Sequence, residues 1–246
     1  MVEGDTIAVA NGDPLAGLTP TGRRVGLAEV RLLAPIEPPN VLCLGQNYKA
    51  HVEESGDKLP RAPILFMKST TAIIGPEEPV VIPKMAPSEV DYEAELAVVI
   101  GTRTRRVTEH DALSHVLGYT CAHDVSARDS QRNDGQWVRA KSFDTFCPVG
   151  PWIQTDLDPS NLRIRGRLNG QTMQDASTAL MTFSIPFVIS YLSRGMTLLP
   201  GTLILTGTPA GVGFARQPPV WLRAGDVFEV DVEGIGVLRN PVIEED

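Results

Sequence analysis

The segment DYEAELAVVIG, Asp91 to Gly101, begins acidic and ends as an apolar run of the kind that builds a buried strand. Side chains two apart on a strand share a face, so Glu93 and Glu95 stand side by side. Asp91 falls on that face too, while Leu96, Val98 and Ile100 take the opposite one. For such a pair alone, a solvated strand face is the plain alternative. A buried pair would repel and raise one pKa unless a cation sat between the carboxylates. A third acid favours the cation. GYTCAHDVSARD reads as a strand ending at Asp124, with Arg128 and Gln131 following as a guanidinium and an amide on one rim. Three oxygen ligands suit a hard ion, Mg²⁺ or Mn²⁺, whereas zinc would call for His or Cys. His123 faces away from Asp124 if the strand persists, and reads as structural.

In GQNYKAHVEESG, His51 and Glu54 are neighbours on a helix. Glu54 would orient and polarise His51 as a general base; a surface ion pair is the alternative. Lys141, within RAKSFDTFCPVG, is either a solvated stem or a positive charge for a carboxylate or a developing oxyanion. TGTPAGVG, Thr206 to Gly213, is a glycine-rich turn after the apolar TLIL, without the Gly-Lys-Ser/Thr of a phosphate loop. It is either a tight turn or a loop whose Thr208 hydroxyl and backbone approach a ligand closely.

These side chains need a rigid frame. Most apolar runs are short and strand-like, and Asn169-Gly170 marks a hairpin between RIRGRL and QTMQD. Three helices are predicted: Tyr48 to Ser55 closed by Gly56; one from an N-cap at Thr108 to a stop at Gly118; and one opened by Ser184-Ile185-Pro186 and ending at Gly195. The pattern is mainly β with minor helices (α+β), without alternating βα units. Residues 1–40 read as a short N-terminal arm or small β domain, set off by Pro35, Pro38 and Pro39, and residues 41–246 as the main domain.

With 246 residues, 42% of them hydrophobic, the chain can bury a substantial core. A net charge of −8 argues against nucleic acid. No apolar run approaches a membrane span and the start lacks a signal-peptide pattern. Three isolated cysteines without CxxC spacing suit a reducing cytoplasm.

Several segments occurring in order resemble the fumarylacetoacetate hydrolase family: GQNYKAHVEESG, ILFMKSTTAIIGP, DYEAELAVVIG, HDVSARDSQ, AKSFDTFCPVGP, FSIPFVISYLSRGMTLLPGTLILTGTPAGVG and LRAGDVFEVDVEGIG. The likeness runs from about Pro35 to Val242. It implies a mixed β-sandwich roll, a homodimer, and one Mg²⁺ or Mn²⁺ per subunit on Glu93, Glu95 and Asp124. It also implies a His51–Glu54 dyad, an active-site Lys141, and substrate contacts from Arg128, Gln131 and Thr208. The activity implied is metal-dependent chemistry on a small 2-oxo acid through an enolate. Hydrolytic C–C cleavage of an acylpyruvate is the first expectation. Oxaloacetate decarboxylation and 2-hydroxyhepta-2,4-diene-1,7-dioate isomerisation share the enolate, and a non-catalytic metal-binding β protein is the reading from a different class. The segment Glu53–Arg61, bounded by Gly56 and Pro60, reads as a lid that orders over the site.

Overall fold

Alternation along the strand Ala94–Ile100 sets the layout of the molecule. Leu96, Val98 and Ile100 enter a core of 34 buried residues, and Ala97 and Val99 enter a second core of 12 on the opposite face. Both faces are thus dry, and each aliphatic side chain so buried contributes about 1.5–3 kcal/mol. In the computed structural model, which describes all 246 residues, this strand lies at the middle of a seven-stranded sheet. The order is Ile64–Lys68, Val41–Gly45, Leu203–Leu205, Ala94–Ile100, Val116–His123, Cys147–Gln154, Ile73–Ile74. The pairs Leu203–Leu205 with Val41–Gly45 and Cys147–Gln154 with Ile73–Ile74 are parallel, and the others antiparallel.

A five-stranded sheet covers the larger core. It runs Gln171–Ser177, Arg163–Leu168, Val227–Val232, Gly236–Glu244, Val80–Ile82, and sends Ile164, Phe228, Val230, Val232 and Leu238 inward. The architecture is the mixed β sandwich expected, with four short helices: α1 (Lys49–Glu54), α2 (Arg128–Asn133), α3 (Val138–Lys141) and α4 (Ile185–Gly195). The hairpin forms at the foreseen place: Asn169 and Gly170 both take positive φ, 52° and 79°, and Leu168 faces Gln171. In α4 the Ser184 hydroxyl accepts from the Phe187 amide, and Ile185, Val188, Ile189 and Leu192 form the buried stripe. Residues 1–26 form a three-stranded sheet, and Ile36 of the following connector enters the smaller core. No helix is long and apolar enough to cross a membrane.

The helix predicted from Thr108 is not there. The cap pattern closes on itself, since the Thr108 hydroxyl donates to the Asp111 carboxylate at 2.7 Å, but only a 3₁₀ turn follows, Ala112–His115. From Val116 the chain is a strand paired with Ala94–Ile100. Two-sided burial of that strand outweighs a local capping signal.

Candidate active site

Antiparallel register brings Asp124 beside Glu93 and Glu95. Ala122 faces Glu95 and His123 faces Ala94, and the Asp124 amide donates to the Glu93 carbonyl at 3.0 Å. One oxygen from each of Glu93, Glu95 and Asp124 lies within 4.8 Å of the others, all three residues buried. Asp91 does not join them, contrary to the uniform alternation expected. The strand breaks at Tyr92-Glu93, and Asp91 belongs to a separate two-residue pairing with Ser126–Ala127. His123 is buried against Phe228, with ring centroids 4.4 Å apart, and burial pushes its pKa down to about 3. It is a neutral core residue.

Three buried cations serve this cluster. Lys141 donates to Glu93 Oε2 and Asp124 Oδ2, both at 2.8 Å. Burial opposes its charge, but Asp124 and Glu93 outweigh it and raise its pKa, so it stays an ammonium. Arg128 donates Nε to Asp91 at 2.8 Å, Nη2 to Glu93 at 2.5 Å and Nη1 to Gln131 Oε1 at 2.9 Å. Lys68, which sequence reasoning missed, donates to Asp124 Oδ1 and to the Val125 carbonyl. Its signal was its place two residues after Phe66, on the inward face of a strand.

Against these three cations stand four buried carboxylates, Asp91, Glu93, Glu95 and Asp124. Burial opposes ionisation of Glu93, yet Lys141 and Arg128 hold its pKa below the usual range. Glu95 is different. Burial, then the charges of Asp124 and Glu93, push its pKa well up, and its hydrogen bond comes from a neutral donor, the Gly207 amide at 2.6 Å. Beside it the Tyr48 hydroxyl, buried and within reach of the Glu95 charge, has no protein partner. An oxygen-only donor set, with one carboxylate that no protein cation bonds, fits a hard divalent cation.

His51 and Glu54 meet on one face of α1. His51 Nδ1 lies 2.8 Å from Glu54 Oε1 on α1, which gives Nδ1 the proton and leaves Nε2 as the basic nitrogen. Phe214 lies edge-on to His51 at 6.3 Å and flat under the Arg128 guanidinium at 4.6 Å. The glycine-rich loop does more than turn. Its amides donate from Gly207 to Glu95, from Gly211 to Glu54 Oε2 at 2.8 Å, and from Gly213 and Phe214 to the two oxygens of Asp91 at 2.7 and 3.2 Å. The Thr208 hydroxyl donates to the Ala94 carbonyl at 3.0 Å and accepts from Gln174, so its proton is committed within the protein.

Gly211 has φ +109°, and a Cβ there would sit 2.1 Å from the Met173 carbonyl oxygen. Gly211→Ala must therefore shift the loop. The expected result is a loss of about 1–3 kcal/mol in stability with a larger proportional loss of turnover, because the Glu54 anchor moves. Parallel urea melts and rate measurements check it; a variant with native turnover would show that this amide is dispensable.

The groups open onto one pocket of about 260 Å³. His51, Glu93, Arg128, Gln131, Lys141 and Thr208 line it, with Leu44, Phe66 and Trp137 as an apolar wall. Gln46 and Asp57, joined at 2.6 Å, hold the turn after α1 against its edge. Trp137, Phe214 and Arg132 line the pocket but were not singled out from sequence; an aromatic or an extra arginine in a polar segment carries no local signature.

A fumarylacetoacetate hydrolase C-terminal family model matches residues 40–243. The chain belongs to the fumarylacetoacetate hydrolase family. A model of the Rv2993c-like N-terminal type matches residues 1–35. Protein Rv2993c of Mycobacterium tuberculosis is 50% identical over 235 residues, covering 94% of this chain and 86% of that protein. The mitochondrial oxaloacetate tautomerase fahd2 of Xenopus laevis is 47% identical over 222 residues, 88% of this chain and 69% of its own length. Among solved structures, a 2-hydroxyhepta-2,4-diene-1,7-dioate isomerase from Mycobacterium marinum superposes with a TM-score of 0.88 at 47% identity, covering 98% of this chain and 88% of that one. Relatives in a family named for a hydrolase thus carry the names of a tautomerase and an isomerase.

Proposed function

We propose that this family member is an enzyme that moves a proton at the carbon next to the 2-oxo group of a short 2-oxo acid, as in oxaloacetate tautomerisation. The observation that carries this is that His51, paired with Glu54, lines the same small pocket as Lys141 and its partner Glu93. A cation held by Glu93, Glu95 and Asp124, Mg²⁺ or Mn²⁺, would supply Lewis acidity toward the substrate oxygens. Arg128 and Gln131 orient the substrate carboxylate, with Thr208 shaping the wall beside it. His51 Nε2 takes the proton, and Glu54 stabilises the resulting imidazolium. Lys141 keeps one N–H bond free of its two carboxylate partners and turns it toward the negative charge that develops on oxygen. The same base can deprotonate a water, so hydrolytic cleavage of an acylpyruvate is the second reading. The proposal includes a homodimer in the cytoplasm.

The test offers oxaloacetate and acetylpyruvate in D₂O with Mg²⁺ or Mn²⁺. Deuterium entry at C3 of oxaloacetate far above the metal-only rate supports proton transfer, and acetate release from acetylpyruvate supports hydrolysis; the absence of both overturns the enzyme reading. Metal at about 100 times its Kd should also stabilise the fold by about 2.7 kcal/mol. A Tm rise that Glu95→Gln abolishes is the expected result; an unchanged Tm in native protein removes the cation.

A further inference from the structure

Three cationic side chains line the pocket, and they differ in how many donors are free. Arg128 is held by Asp91, Glu93 and Gln131, and one of its faces lies on Phe214. Lys141 gives two of its three N–H bonds to Glu93 and Asp124. Both are buried with the carboxylate cluster. Arg132 is placed otherwise. It follows Arg128 by one turn of α2, so the two share a helix face, but its side chain is 59% exposed and therefore stands at the mouth. Its bond is to Glu89, from Nη2 at 2.5 Å, which leaves most of its five N–H donors unspent. Glu89 fixes both arginines, since its carbonyl also accepts from the Arg128 amide at 2.9 Å. The other charged group at the mouth is Asp57, held by Gln46 at 2.6 Å. The mouth thus carries Asp57 and the Arg132–Glu89 pair, with the Arg132 guanidinium as its cation.

A substrate seated with its 2-oxo end on the buried groups carries any second carboxylate toward that entrance, where Asp57 repels it and Arg132 can receive it. We infer that Arg132 is a specificity-determining residue that binds the distal carboxylate of a 2-oxo dicarboxylic acid, so that the pocket selects dianions over acylpyruvates with neutral tails. This rests on the proposed function for the orientation of the substrate. Glu89 then acts as the placeholder that the incoming carboxylate partly displaces.

Arg132→Gln should raise KM for oxaloacetate about 2- to 5-fold, the size of an exposed charge pair. Its kcat should change by less than about 2-fold, and acetylpyruvate kinetics should not change. Glu89→Gln should act in the opposite sense, lowering the oxaloacetate KM. Binding is read separately from turnover by the thermal shift of Mg²⁺-loaded protein with 2-oxoglutarate, which has a distal carboxylate, and with pyruvate, which has none. Arg132→Gln should diminish the 2-oxoglutarate shift alone. Equal losses for both ligand types, an unchanged oxaloacetate KM in Arg132→Gln, or an unchanged one in Glu89→Gln each overturn the assignment. If native protein turns over neither substrate, the proposed reaction falls while the thermal-shift comparison still decides the role of Arg132.

Discussion

His51→Asn is expected to lower turnover by about 10²- to 10⁴-fold, the usual worth of a positioned general base. Asparagine fills a similar volume and can still donate to Glu54, so α1 keeps its place. It has no nitrogen that accepts a proton near neutral pH. Because His51 touches none of Glu93, Glu95 or Asp124 through a hydrogen bond, Mn²⁺ affinity measured by electron paramagnetic resonance should stay within about 3-fold of native. A variant that retains native proton exchange at C3 of oxaloacetate would remove His51 from the mechanism. One that loses metal and activity together would make it structural.

Asp91→Asn should cost about 1–3 kcal/mol of folding stability, the range for leaving a buried donor unsatisfied, since Arg128 keeps Glu93 as a partner. Asp91 is fully buried and meets only donors: the Arg128 Nε and the amides of Tyr92, Gly213 and Phe214. An asparagine presents an NH₂ to one side of that set, leaving at least one amide unsatisfied and the guanidinium short of countercharge. Urea unfolding measures the loss, and m should not change. A cost below about 1 kcal/mol would mean that solvent reaches this locus. Turnover should fall too, since Arg128 loses the contact that aims its other nitrogens at Glu93 and Gln131.

Much of the site was legible because it is written in side-chain spacing. Period-two alternation separated Glu93 and Glu95 from Leu96, Val98 and Ile100, and the i, i+3 spacing joined His51 to Glu54. The hairpin at Asn169-Gly170 and the start of α4 were legible for a similar reason, as each depends on neighbours in sequence. What failed depends on distant partners. The Thr108 cap lost to a strand pairing with residues 94–100. Asp91 left the acidic face because a two-residue pairing with Ser126–Ala127 interrupts the strand. Lys68 is committed to Asp124, 56 positions away in sequence. Nothing near these residues in sequence records those commitments.

The loop from Gly207 to Phe214 grips Glu54, Asp91 and Glu95 with peptide nitrogens alone. Peptide nitrogens are the same whatever residue bears them, so positions such as Pro209 and Ala210 can diverge without disturbing the acids beneath. Side chains there could change while the backbone that holds Glu54, Asp91 and Glu95 stays as it is. The same arrangement carries a vulnerability: one displaced segment of backbone would unsettle Glu54, Asp91 and Glu95 in a single event.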